Sequence, residues 1–211
     1  MFITLEGIEG SGKSTLAQAL ADKINARGKT TLLTHEPGAT KLGQALRRML
    51  LDHDTSTEQK NLAPLAELLL FEADRAQHLH EVIQPALARG EIVICDRFIH
   101  STLAYQGFGR GISTEIINQL NQIATTKLSP DYTFILDLAV EEGLRRAKKR
   151  GEGLDRFESE RQAFHEKVRQ GFLAIAKNSS TASSTKFSIL DANQSPLQIC
   201  NQAFAVIETA L

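Results

Sequence analysis

Phe2-Ile3-Thr4-Leu5-Glu6-Gly7-Ile8-Glu9-Gly10-Ser11-Gly12-Lys13-Ser14-Thr15 is the stretch that decides the fold. Phe2 to Leu5 is a short apolar run and reads as a strand. Residues 7–14 fit G-x-x-x-x-G-K-[ST]. From Ser14 to Arg27, Leu16, Leu20 and Ile24 recur at four-residue spacing, with Gly28 just past the end, which reads as a helix. Strand, glycine loop and helix stand in the order a phosphate cradle needs. Backbone N–H groups of such a loop converge on phosphate oxygens, and the helix N-terminus adds positive potential. Gly10 and Gly12 permit conformations and close approaches that a Cβ would block. Lys13 can reach β- and γ-phosphates, and the Ser14 hydroxyl can ligate Mg²⁺. Gly7, Ile8, Glu9, Gly10, Ser11, Gly12, Lys13, Ser14 and Thr15 are therefore candidate ATP contacts.

Further along, the alternation repeats. Thr30–Thr34, Ile92–Cys95, Tyr132–Leu138 and Phe187–Leu190 read as strands. Leu42–Leu51, Leu62–Arg89 with a break near Pro85, Thr114–Thr126, Glu141–Arg150, Arg161–Lys177 and Leu197–Leu211 read as helices. Asp52–Lys60 is polar and reads as a loop, as does the Ser- and Thr-rich stretch Asn178–Thr185. Strands separated by helices pair in parallel. The expectation is an α/β, P-loop NTPase-type three-layer fold. It has a five-stranded parallel sheet, helices on both faces and a short lid, in one domain over 1–211.

Composition narrows the class. At 211 residues, with about 150 residues per domain as the prior, one domain is the default. Lys+Arg is 24 and Asp+Glu 25, a net charge of −1, so no general pull toward nucleic acid or anionic membrane exists. Cys95 and Cys200 form no disulfide framework and no metal-binding pair. No signal peptide opens the chain, and no run of 18 apolar residues spans a membrane. These features point to the cytoplasm.

The P-loop class follows from what surrounds it. No D-x-x-G switch and no N-K-x-D base reader is present, which excludes a GTPase. The third strand ends in Asp96-Arg97 rather than Asp-Glu. There, Asp96 can hold a metal's water shell and Arg97 can face an anionic second substrate, which suits a small kinase. Acceptor candidates fall in three clusters: His35-Glu36-Pro37-Gly38-Ala39-Thr40 after strand two, Phe71 with Arg75, and Ser101-Thr102-Leu103-Ala104-Tyr105-Gln106-Gly107. Phe71 and Arg75 are four apart and share a helix face. Spacing alone leaves them either a base reader or a core stripe with a solvated arginine. The third cluster reads equally as a solvated loop.

Together, Leu5 to Thr15, Glu36-Pro37-Gly38, Asp96-Arg97-Phe98, Ser101-Thr102, Ala104-Tyr105-Gln106-Gly107 and Ser129-Pro130-Asp131 resemble bacterial thymidylate kinase, in family order from about residue 2 to 195. The resemblance implies phosphorylation of dTMP to dTDP with ATP and Mg²⁺, the metal near Ser14 and Asp96. It implies that Phe71 stacks on thymine, Arg75 binds the base edge and Arg97 the thymidylate phosphate. Thr102 and Gln106 lie near the base, Tyr105 beneath the sugar, Glu9 near its 3′-OH, and Pro37 in the acceptor loop. It also implies a homodimer.

The lid is read from Arg145-Arg146-Ala147-Lys148-Lys149-Arg150, followed by Gly151-Glu152-Gly153. Such a run is either a solvated helix end, a nucleic-acid patch, or a hinged lid whose arginines close over phosphates. The family carries a catalytic arginine in the P-loop in one subgroup and in the lid in another. Here Gly10 and Ser11 stand in the loop, so the chain resembles the lid-arginine subgroup. Arg150 is the expected catalytic arginine with Lys13, Arg97 and Glu9; Arg146 is an expected ATP contact, and Arg146 and Arg156 are the alternatives to Arg150. His35 and Ala39 depart from the family's usual Arg and Gly. Two other readings stay open: a kinase for another pyrimidine nucleotide, and a regulatory or nucleic-acid-binding module using residues 145–150.

Overall fold

The computed structural model describes residues 1–51, 62–149, 155–178 and 185–211. Five strands, β1 (Phe2–Glu6), β2 (Thr31–His35), β3 (Ile92–Asp96), β4 (Tyr132–Asp137) and β5 (Lys186–Asp191), form one sheet in the order β2-β3-β1-β4-β5. Every pairing is parallel. The central strands are apolar because both faces are covered. Along β1 and β3, alternate residues feed two separate cores. Ile3, Leu5, Ile92 and Ile94 pack with Leu16, Leu20 and Ile24 of α1 (Lys13–Asn25). Phe2, Val93 and Cys95 pack with Leu79, Ile83, Ala86 and Phe98 on the other side. This is the expected layered sandwich.

The remaining helices are α2 (Lys41–Leu51), α3 (Pro64–His78), α4 (Gln84–Ala88), α5 (Ile99–Thr102), α6 (Thr114–Ala124), α7 (Val140–Lys149), α8 (Gln162–Asn178) and α9 (Pro196–Ile207). Ser113 caps α6, and Ser195 with Gln198 forms a capping box on α9. The expected break near Pro85 is a π-helical turn, Leu79–Ile83, running into α4. Proline has no N–H to continue the ladder, and the wider turn absorbs the missing bond.

One stretch differs from its expectation as a possible solvated loop. Residues 99–109 are helical, α5 leading into a π-helical segment, Leu103–Gly109, whose Ala104, Tyr105, Gln106 and Gly107 are buried. This segment packs against α8, and Gly109 and Gly171 face Phe164 and Phe108 at distances a Cβ would violate. The proposed loop over Asp52–Lys60 and most of the Ser/Thr stretch lie outside the described residues. No described helix is long and apolar enough to cross a membrane.

Candidate active site

The carboxyl ends of β1, β2 and β3 open into a cleft of about 940 Å³. The loop after β1 forms its floor. Gly12 caps α1 in the left-handed region at φ 92, and Gly10 takes φ 71, so this loop turns where side chains rarely follow. A Cβ on Gly10 would lie 2.3 Å from the Gly143 carbonyl oxygen, and one on Gly143 would lie 2.7 Å from that of Glu9. Loop and α7 therefore touch backbone to backbone. Gly10 to Thr15 line the cleft, whereas Gly7 and Ile8 lie beneath it.

Lys13 is folded back over the loop. Its Nζ donates to the carbonyls of Gly7 (3.1 Å) and Ile8 (3.0 Å). Burial, with the charge of Arg97 adding to it, lowers its pKa to about 8. Beside it, the Ser14 hydroxyl donates to Asp96 Oδ2 at 2.7 Å. The expected pair for a divalent cation is thus assembled from α1 and β3.

Glu9 is the hinge between this half and the next. Its Oε1 accepts from Arg97 Nη2 at 2.9 Å and from the Tyr105 hydroxyl at 2.6 Å. Burial works against its charge, but Arg97, Lys13 and Tyr105 outweigh it and hold its pKa below the usual carboxylate range. Arg97 also donates to the Gly7 carbonyl at 3.0 Å and lies 5.1 Å from the Tyr105 ring centroid. Its backbone sits at φ 71, an unfavourable region for a side chain, which aims the guanidinium at the phosphate loop. Beneath it, Glu6 accepts from the Phe98 N–H (2.9 Å) and the Ser101 hydroxyl (2.5 Å). Burial raises the Glu6 pKa to about 7.

The far end of the cleft is lined by Pro37, Phe71, Arg75, Thr102, Tyr105 and Gln106. Phe71 is half-buried and tilts against Phe157 at 5.9 Å between centroids. Arg75 is neither solvated nor free. It is 2% exposed and its donors meet Glu36, Glu72, Asn121 and the Phe98 carbonyl. Glu36 in turn holds His78 at 3.0 Å, so Arg75 braces the Glu36-Pro37-Gly38 loop, whose Glu36–Pro37 bond is cis.

Several cleft residues escaped the sequence reading. Arg47 of α2 lines the cleft and donates to the Pro37 carbonyl at 2.9 Å. Its only sequence signal is its place in an Arg-Arg pair on an amphipathic helix. Phe157 and Glu158 line the same wall. His165, buried on α8, lies 3.8 Å from Glu9 Oε2. Arg146 lines the opposite end and donates to Glu142 (2.7 Å) and the Ala192 carbonyl (3.2 Å). Arg156 donates to the Leu50 carbonyl (2.8 Å) and to Glu67 (2.5 Å). Arg150 lies outside the described residues.

A model of the family described as thymidylate kinase matches residues 5–203. The chain belongs to the thymidylate kinase family. A thymidylate kinase of Desulfovibrio desulfuricans is 49% identical over 217 residues, covering 100% of this chain and 96% of the relative. One from a Synechococcus strain is 48% identical, with the same coverage. The crystal structure of thymidylate kinase from Ehrlichia chaffeensis superposes with a TM-score of 0.76 at 34% identity, covering 98% of each chain. The matched range, residues 5–203, includes every residue that lines the cleft.

Proposed function

We propose that this family member transfers the γ-phosphoryl group of ATP to dTMP, giving dTDP and ADP, with the two nucleotides entering the cleft from opposite ends and meeting at Glu9. The observation that carries the reading is the single carboxylate oxygen of Glu9, itself a residue of the phosphate loop, holding both Arg97 and Tyr105. That juxtaposition puts an acceptor-binding group within reach of the donor's terminal phosphate.

ATP phosphates lie on the loop N–H groups of residues 7–14. Lys13 exchanges its two carbonyl partners for β- and γ-phosphate oxygens. Ser14 and Asp96 would hold Mg²⁺: a hydroxyl and a carboxylate are hard oxygen donors, and Mg²⁺ takes few protein ligands beside phosphates and water. When bound, Mg²⁺ neutralises charge on the donor phosphates. The thymidylate base packs on Phe71, near Arg75, Thr102 and Gln106, over the loop at Pro37. Tyr105 lies under the sugar, and Arg97 takes the acceptor phosphate. That phosphate is already an anion, so no strong base is needed. Catalysis is positioning plus charge neutralisation. Arg146 contacts ATP, and Arg150 closes over the transferring group as the lid arginine, excluding water that would hydrolyse ATP.

The enzyme acts in the cytoplasm, in keeping with two free, buried cysteines. It works as a homodimer; Leu65 and Leu69 of α3 and Ile116 and Ile123 of the adjoining α6 are exposed apolar groups available for that contact. The test is a coupled ADP-release assay with ATP, Mg²⁺ and dTMP, beside thymidine, dUMP and dCMP. Turnover strongest on dTMP is the expected result. Strongest turnover on another acceptor overturns the base assignment.

A further inference from the structure

We propose that Glu67, which does not line the cleft, selects thymine by fixing the side-chain amide of Gln106. This inference rests on the dTMP reading above.

Glu67 of α3 is 1% exposed. Its Oε1 accepts from Gln106 Nε2 at 2.8 Å and from Arg110 Nε at 3.3 Å; its Oε2 accepts from Arg110 Nη2 at 3.4 Å and Arg156 Nη2 at 2.5 Å. Glu160 anchors Arg110 from its other side at 2.6 Å. Two guanidiniums, from two segments of the chain, therefore clamp the carboxylate beside the Gln106 amide, and it has little freedom to turn.

A carboxylate between guanidiniums offers only acceptors. Gln106 is symmetric in shape, and its amide could face either way in a neutral pocket. Beside Glu67 it cannot: the NH₂ end must face the carboxylate, because the reverse would set oxygen against oxygen. The Oε1 end is thereby turned away from Glu67, toward the cleft that Gln106 lines.

Thymine has one base N–H, at N3. A fixed acceptor beside thymine can pair with nothing else on the base. Cytosine carries a bare lone pair at N3 and would meet Gln106 Oε1 with repulsion. Glu67 is thus a positioning residue: it acts on the base only through the orientation of another side chain.

The experiment compares dTMP with 5-methyl-dCMP, which keeps the methyl group and changes only the N3 and C4 positions. In Glu67→Gln, residue 67 can donate as well as accept, and the Gln106 amide is free to turn. The ratio of kcat/KM for dTMP over 5-methyl-dCMP should fall about 10- to 100-fold, the scale of one hydrogen bond lost to a mismatched buried polar group. The exchange variant Glu67→Gln/Gln106→Glu keeps one carboxylate in the cluster. Its residue 106 is an acceptor again, and the ratio should return toward wild type. A Glu67→Gln enzyme with the wild-type ratio, or an exchange variant that does not recover it, overturns the proposal.

Wild-type protein gives a readout that needs no folded variant at position 67. The Gln106 side-chain amide protons, identified by their loss in Gln106→Ala, should stay protected from exchange when dTMP binds. Loss of that protection on dTMP binding overturns the proposal. A wild-type enzyme inactive on dTMP removes the parent reading instead, a result distinct from wild-type dTMP turnover with an unmoved ratio.

Discussion

Arg97 donates to Glu9 across 2.9 Å, although 88 residues separate them in the chain. The pair joins the end of β3 to the phosphate loop, and Arg97 reaches it from a left-handed backbone. Arg97→Ala should lower kcat/KM for dTMP by about 10²- to 10³-fold, the usual loss when one preorganised donor is removed. Arg97→Lys should recover little of it, since an ammonium cannot reproduce a fork that spans Glu9 and the Gly7 carbonyl. Steady-state kinetics on variants shown folded by circular dichroism checks this. Near-normal turnover in Arg97→Ala would remove Arg97 from the site.

Lys13, with its pKa near 8, is about half neutral at pH 8 in the free enzyme. Phosphate oxygens restore its charge, so MgATP binding at pH 8 should take up about half a proton, and almost none at pH 6. Calorimetry in buffers of different ionisation enthalpy measures the uptake. Lys13→Met should abolish it.

Glu6 bears on stability rather than turnover. Its folded pKa near 7 lies above its ordinary 4.5, so the folded state holds a proton that the unfolded chain has released. The stability contributed by the protonated form is complete below pH 4.5 and lost as pH rises through 7. The loss is about 3 kcal/mol by pH 8. In Glu6→Gln, unfolding free energies from urea at pH 5 and pH 8 should differ by about 2.5 kcal/mol less than in the wild type, since part of the loss has already occurred by pH 5. Asp74, raised to about 6 chiefly by burial, leaves part of the slope in place.

Phe71 and Arg75 should separate in a paired comparison. Arg75→Met leaves Glu36 and Glu72 buried without their cation, and should destabilise the fold by about 3–5 kcal/mol. Phe71→Ala should instead act mainly on binding, raising the KM for dTMP about tenfold, because a half-buried ring at the cleft wall holds substrate more than fold. Unfolding curves beside KM values check both.

These two residues also mark how far the sequence could be read. Both sit on the helix face that their spacing implied, and the parallel pairing of the sheet follows from alternating strands and helices. The phosphate loop was legible because its chemistry needs contiguous residues. Arg75's burial was not, since its partners Glu36, Glu72 and Asn121 come from three elements and no local pattern records their convergence. The cluster at residues 101–107 stays open in the sequence for a related reason: hydroxyl and amide side chains look solvated in a list, yet here they are covered by α8 and turned inward to Glu6, Glu9 and Glu67. Arg47 and Phe157 reach the cleft, and His165 lies beside Glu9, from helices and turns remote in the chain, which no motif joins.

The contact between Gly10 and Gly143 limits how this enzyme could change. A side chain at position 10 would drive into the Gly143 carbonyl, and one at position 143 into that of Glu9. An arginine at position 10 therefore cannot be introduced by a single substitution that leaves α7 where it is. The helix would have to back away first, so a side chain at position 10 is separated from the present arrangement by a movement of backbone rather than by one codon.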